Sequence, residues 1–360
     1  MSDGEKLGSV RLSQYKPRNT GSSQEERRKF LLEHQKRLRE ESFNEGRNIV
    51  EEINTLWHKT PRQRNKLYKK KFMLSEWLME IPSDFKENWI MVPCPIGKRV
   101  LVLAGKGMTL VFAKDGRVLS RFRSNLPGGH MESGEPSKGV TLLDCIWSKC
   151  NRSYYILDVL AWNNQHLTNC ETEFRFFWLR TKLTEGPDMV EISQSNTYPF
   201  FSLPTFQCDK ETLEICLKTP LIPDVTVDGL LFYHSKAHYT NGHTPLVGWL
   251  KPFMIPDLMQ ISICAELLVE QPQNYAGYLH YITEFEEKVK NKHSGKQVKQ
   301  RQRRRSRKME VVEADPNVQE EMNQIDSSEG PSVQDFSEGM DHADEESEDS
   351  IDASSEENNT

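Results

Sequence analysis

The sequence predicts an α+β domain built on twisted, largely antiparallel sheet, preceded by a long basic helix and followed by a disordered tail. Three observations predict it. Trp, Phe, Leu, Ile and Val concentrate between Leu74 and Ile282, although hydrophobic residues make up only 36% of the 360-residue chain. Within that stretch, short β-branched and apolar runs alternate with Gly-containing turns such as Asp115-Gly116, as antiparallel strands require. The ends, by contrast, are polar and segregated by charge. Residues 10–71 hold 17 Lys or Arg against 8 Asp or Glu, 288–308 hold 11 basic residues and no acidic one, and 309–360 hold 18 acidic residues and no Lys or Arg. Blocks of like charge cannot bury a core, so one globular domain with two tails is expected and the net charge of −6 says nothing of partners.

Taken in order, residues 1–22 are polar and rich in Gly, Pro and Ser and are expected to be extended until something binds them. Ser22 and Ser23 stand three residues ahead of Glu25 and Glu26, the capping-box spacing, and no Pro interrupts the chain to about 54, which predicts a helix over about 23–54. Its apolar residues are few and Arg27, Arg28, Arg37 and Arg39 form a basic face, the pattern of a partner-binding helix or of a solvated one. After the linker 61–72 the segment FMLSEWLMEIP reads as a helix or turn closed by Pro82. Strands are expected through 89–122, a mobile surface loop in LPGGHMESGEPSKG, a hairpin in TLLDCIWSKCNRSYYILDVLAW and a further strand in FRFFWLRTKL. A short helix capped by Asp209 should follow at 209–218, then a hairpin from Val227 to Pro252, and a terminal helical segment near 270–290. Seven Cys without a C-x-x-C pair suit free thiols in a reducing compartment, and no apolar run is long enough for a membrane span.

The hairpin VDGLLFYHSKAHYTNGHTPLVGWLKP carries the strongest functional signal. Trp249, beside Gly248 and followed by Lys251 and Pro252, fits both a buried core indole and a platform for a planar base whose phosphate a cation holds. Three catalytic readings fall short. Lys114 adjoins Asp115-Gly116 directly, whereas a nucleotidyl-transferring lysine needs the K-x-D-G spacing. His234, His238 and His243 lack the further ligands a zinc site requires, so no metal is expected. The loop with Gly128, Gly129, Gly134 and Gly139 lacks the G-K-S or G-K-T ending of a phosphate cradle. What remains is a binding palette of Ser75, Trp77 and Trp249 with Lys98, Arg99 and Lys114.

All of these but Lys114 lie in blocks, and the blocks RLSQYK (11–16), LSEWL (74–78), VPCPIGKR (92–99), LPGG (126–129), EFRFFW (173–178) and the DGLLFYH…TPLVGWLKP run together resemble the snurportin family over roughly 10–55 and 72–285. The resemblance implies a non-enzymatic nuclear import adaptor without cofactor, shuttling between cytoplasm and nucleus. An importin-beta-binding segment would occupy 1–60, and a domain similar to the guanylyltransferase nucleotide-binding fold would occupy 73–285 and bind the 2,2,7-trimethylguanosine cap of U snRNA in its snRNP. The remainder, 286–360, is a basic-then-acidic tail outside the resemblance, to which no function is assigned. By the family's pattern Trp249 would stack on the cap bases with Leu250 following it in the site, Ser75 would hydrogen-bond the modified guanine, and Trp77 would pack on its N2 methyls. Lys98, Arg99 and Val100 would line the cap, and Lys114 would contact the phosphate bridge. Importin beta would meet Arg11, Lys16, Arg27, Arg28, Lys29, Lys36, Arg37 and Arg39. Exportin-1 is the implied recycling receptor, through an apolar amino-terminal segment of which this chain offers only Leu7, Val10 and Leu12. The chemistry is coherent: N7 methylation places positive charge on the stacking ring, and two methyls on N2 remove both amino hydrogens, so an apolar wall suits the base. A catalytically active nucleotidyltransferase and a basic RNA binder indifferent to caps are the alternatives.

Overall fold

Apolar runs between Met73 and Leu250 pair into two main sheets in a computed structural model that describes residues 23–41, 71–132, 134–186 and 189–288. The described residues divide into two units, one within Ser22–Gln273 and one from Asn274 onward.

In the larger unit, helix α1 (Gln24–Glu41) is followed by β1 (Met73–Trp77), the single-turn α2 (Phe85–Asn88), β2 (Trp89–Pro95), β3 (Lys98–Gly105), β4 (Met108–Phe112) and β5 (Val118–Phe122). The two-residue strands β6 (Met131–Glu132) and β7 (Glu135–Pro136) pair with each other. Next come β8 (Val140–Ser148), β9 (Ser153–Trp162), β10 (Gln165–His166), helix α3 (Thr172–Glu185), β11 (Phe200–Ser202) and β12 (Phe206–Gln207). Helix α4 (Lys210–Cys216), β13 (Val227–His234), β14 (Gly242–Leu250) and the short helix α5 (Ile255–Met259), set between 3-10 turns at Pro252–Met254 and Ala265–Leu268, complete the order. A five-stranded sheet runs β1-β14-β13-β2-β12, and a seven-stranded sheet runs β10-β9-β8-β3-β4-β5 with β11 beside β9. Among the described residues only β1 with β14 and β11 with β9 pair parallel, so the α+β, largely antiparallel expectation is met. β8 and β9 are apolar almost without alternation because both their faces are covered, and Val100, Val102, Leu143, Cys145, Tyr154 and Ile156 form part of one core.

Three expectations are corrected. FMLSEWLMEIP contains a strand, not a helix or turn: β1 lies along β14, and the Met73 backbone is held at both ends, its N–H donating to Tyr239 Oη (3.1 Å) and its carbonyl accepting from Arg99 Nη2 (2.7 Å). FRFFWLRTKL is helix α3, because Thr172, Arg175, Phe176 and Leu179 fall on one buried face and Arg175 forms a two-pronged pair with Asp158 (both 2.8 Å), leaving Phe174 and Phe177 outward. Aromatic residues favour strands only where the sheet gives them a surface to pack on. The glycine loop is exposed in its middle, at Met131 and 134–136, but packed at its ends. Gly128 adopts φ 90°, and a Cβ there would lie 2.3 Å from the Gly139 carbonyl oxygen, so only glycine fits.

The short helix appears as expected, with Asp209 accepting from Thr212 N–H at 2.9 Å. α1 is described only to Glu41, and the expected extension to 54, with Arg11, Lys16 and the two tails, falls outside the described residues. All seven Cys are free thiols. Among the described residues no helix is long and apolar enough to cross a membrane. In the second unit a helix spans 278–288, with the Tyr281 and Phe285 rings stacked at 6.4 Å.

Candidate functional site

β13 and β14 pair antiparallel with Leu231 opposite Trp249 and Leu230 opposite Leu250. From β14 the Trp249 indole reaches across to Gly229, where a Cβ would stand 2.0 Å from Cζ2, 2.1 Å from Cη2 and 2.7 Å from Cε2. Such distances arise when the approach is over the ring face rather than at its edge. Gly229 is therefore a shelf on which the indole lies flat, and any side chain there would lift the ring. Asp228-Gly229, at the start of the expected hairpin, is strand, at a bulge in the pairing of β13 with β2.

Beside the shelf, Lys251 Nζ bridges Asp228 Oδ1 and Glu270 Oε2 (3.0 Å to the latter). Burial works against the ammonium, but the Asp228 carboxylate outweighs it with help from Glu270, and the Lys251 pKa stands above its ordinary value. The pair ties the ends of β13 and β14 together next to Trp249. Sequence reasoning did not foresee the shelf at Gly229, and it took Lys251 as a phosphate-holding cation rather than the centre of this cluster. A glycine inside an apolar strand run was the available signal for the first.

β1 runs parallel to β14 and brings Trp77 opposite Trp249. The pairing jumps from Ser75 opposite Thr244 to Glu76 opposite Gly248, a bulge, and Leu78 N–H donates to the Trp249 carbonyl at 3.1 Å. Ser75 and Trp77 share one strand face by alternation and Glu76 takes the other. Both are buried, Trp77 at 2% exposure and Trp249 at 8%.

The remaining candidates separate. Arg99 donates two bonds to Asp144 (3.0 and 2.7 Å) as well as one to the Met73 carbonyl, and Asp144 also accepts from Tyr239 Oη (2.8 Å). Burial opposes the Arg99 charge, Asp144 overrides it, and the pKa lies well above the usual value. The guanidinium is thus committed to holding β1 against the seven-stranded sheet. Val100 and Leu250 are fully buried, so their side chains belong to the core. Lys98 is exposed at the start of β3, and Lys114 is half-buried after β4. Asp115 next to it caps an ordinary turn, accepting from Arg117 N–H (3.0 Å) and Nε (2.6 Å). The three histidines do not converge. His234 bonds Asp84 (3.1 Å), His243 Nδ1 bonds the Ser75 carbonyl (3.3 Å), and the His238 N–H donates to Gln35 Oε1 (3.1 Å).

α1 lies against the back of this site. Arg27 makes a two-pronged pair with Glu76 (2.7 and 2.8 Å), and Gln24 Nε2 donates to Glu76 Oε2 and to the Trp77 carbonyl, both at 3.2 Å. Arg28 donates to the Pro245 carbonyl (3.0 Å), which belongs to the β14 residues skipped at the bulge, and its guanidinium stands 5.1 Å over the Trp89 ring. Two of the expected partner-binding arginines are thus engaged within the chain, whereas Lys29, Lys36 and Arg37 are exposed. Nothing is described of the Arg39 side chain.

An indole laid on a glycine shelf, with the adjacent Lys251 held between two carboxylates, is a geometry suited to a planar ligand. Residues 71–252 match the family model described as Snurportin1, m3G cap-binding domain, and 10–48 match the Snurportin1 model. The chain belongs to the snurportin family. The larger of the two matches is thus to a domain described by its binding of the m3G cap. Among solved structures it is similar to the ligase domain from M. tuberculosis LigD, at 13% identity over 49% of this chain and 58% of that one, with a TM-score of 0.33. It is also similar to a Lig E DNA ligase, at 12% identity over 50% of this chain and 67% of that one, with a TM-score of 0.32. The chain thus spans a little over half of the LigD ligase domain, and at these scores the likeness carries no argument about chemistry.

Proposed function

We propose that this chain binds the trimethylguanosine cap of U snRNA in its ribonucleoprotein with Trp249 as the stacking platform, and carries it into the nucleus on importin beta without catalysing a reaction. The observation that carries this reading is the Trp249 ring laid over Gly229: the backbone takes one face, so a cap base stacks on the other. With Trp249 only 8% exposed, the cap reaches that face when neighbouring chain moves aside. Trp77, opposite Trp249 across β1 and β14, supplies the apolar wall for the N2 methyls, and Ser75 on the same strand face supplies a hydroxyl for the guanine. Lys98 and Lys114 serve the phosphates as cations. Arg99, Val100 and Leu250 act from behind, Arg99 by fixing β1 and the other two by filling the core beneath it.

The segment 1–60 serves importin beta and 73–285 the cap. With α1 docked, Lys29, Lys36 and Arg37 face solvent, and Arg27 and Arg28 become available when the helix leaves Glu76 and Pro245. Shuttling follows from the adaptor role, whereas recycling by exportin-1 would have to rest on Leu7, Val10 and Leu12 alone. A nucleotidyl-transfer reading is disfavoured by the absent K-x-D-G spacing at Lys114 and by the carboxylates holding Lys251. Competition for a capped RNA by trimethylguanosine dinucleotide, monomethyl dinucleotide and unmodified dinucleotide tests the reading. Preference for the first is expected, whereas equal competition by all three, or a lysine-linked nucleotide after incubation with GTP and magnesium, would refute it.

A further inference from the structure

We propose that the cap site continues into a track for the RNA chain that follows the cap, formed by Lys98, Lys149 and Arg152 with Trp147 and Tyr198 among them. This rests on the cap-binding reading above and extends it to the body of the ligand.

The continuity comes from strand register. Gly229, the shelf under Trp249, pairs with Cys94 near the end of β2, and only Ile96 and Gly97 separate β2 from β3. Lys98 is thus four residues from the partner of the shelf, a chain reach of at most ~14 Å. The link is pressed onto its neighbour, because a Cβ on Gly97 would lie 2.5 Å from the Trp147 carbonyl oxygen. Lys98 pairs with Trp147 and Trp147 with Tyr154, which crosses β3, β8 and β9 in two strand spacings, about 10 Å. One residue beyond Trp147, Ser148 pairs with Ser153 and closes the β8–β9 tip, which carries Lys149 and Arg152.

Lys98, Lys149 and Arg152 are exposed, and Trp147 and Tyr198 are only partly buried. The Arg152 guanidinium stands 5.9 Å over the Tyr198 ring, and that ring meets Trp147 edge-on at 5.2 Å and 77°. Cations beside aromatic planes along one end of a sheet suit a flexible single strand, whose phosphates take the charge while its bases stack. An acidic peptide would use the charges and leave the ring planes idle, so RNA is the occupant that the surface fits.

The test uses the full chain and three probes: trimethylguanosine cap dinucleotide, the same cap on a short single-stranded RNA, and that RNA uncapped. Capped RNA should bind several-fold tighter than the dinucleotide and with a steeper salt dependence. The double variant Lys149→Gln with Arg152→Asn should remove that gain, reduce the salt slope by about 1.4 for two lost phosphate contacts, and leave the dinucleotide affinity unchanged. Asn suits position 152, whose φ is 49°. Capped RNA no tighter than dinucleotide, or a gain that survives the double substitution, would overturn the track alone. A dinucleotide that does not bind, or uncapped RNA bound as tightly as capped, would overturn the cap reading beneath it.

Discussion

Two places along strand β14, its carboxyl end and its bulge, are held by different physics. At its carboxyl end Trp249 rests on the bare backbone of Gly229, a fit of shape that admits no added atom. At its bulge the same strand and its neighbour β1 are held by charge: Arg28 takes the Pro245 carbonyl, and Arg27 takes the Glu76 carboxylate. Shape-held contacts depend on volume and are indifferent to salt, whereas charge-held contacts tolerate small changes of volume but answer to ionic strength and to competing charges. The first suits a pocket that must grip one planar ligand, and the second suits a helix that must be released to another protein.

The largest expected effect is at the shape-held end. Trp249→Ala should abolish most cap binding, since base–aromatic stacking is worth ~1–3 kcal/mol per base. Because the ring is 8% exposed, the substitution also costs stability, on the order of 3 kcal/mol. Trp249→Phe, retaining a smaller platform, should recover part of the affinity in a fluorescence titration. Full affinity in the alanine variant would show that the platform lies elsewhere.

Next comes Gly229→Ala, which should weaken cap binding by lifting the ring while adding little once Trp249 is already Ala. A double-mutant cycle should give a coupling of roughly 0.5–3 kcal/mol. Independent, additive losses would break the shelf assignment.

On the charge-held side, Glu76→Gln removes an acceptor of charged hydrogen bonds worth about 1.5–3 kcal/mol each. Hydrogen exchange across 24–37 should accelerate in that variant and should not in Gly229→Ala. Equal protection of α1 in both would dissolve the distinction between the two places.

The smallest effect concerns pH. Burial lowers the His234 pKa below 6.5 although Asp84 opposes it, so the unfolded chain takes up the proton first as pH falls. Stability is therefore full above the unfolded value and is lost below it, toward the folded pKa. His166, lowered by burial, acts in the same direction. Melting temperature should decline between about pH 7 and pH 5, with a shallower decline in His234→Gln.

The hairpin was legible because its partners are near in sequence: Leu230 to Tyr233 and Val247 to Leu250 carry the strand pattern, and a polar stretch joins them. The cap of α4 was legible for the same reason, since Asp209 and Thr212 are three residues apart. Two segments were misread where distant partners decide. β1 takes its strand form from β14, about 170 residues later, and FRFFWLRTKL becomes a helix because Arg175 meets Asp158.

By itself the sequence determined where the core lies, the antiparallel character of the sheets and the absence of a lysine at nucleotidyl-transfer spacing. Periodicity, turn chemistry and motif spacing act over a few residues, and each can be read locally. Tertiary structure alone decided that Gly229 is a shelf, that Arg99 faces inward to hold β1, that Lys251 is held by Asp228 and Glu270, and that Arg27 and Arg28 are engaged within the chain. Whether a side chain is a ligand contact or a structural tie depends on which distant group satisfies its charge and fills its volume once burial has removed water as a partner.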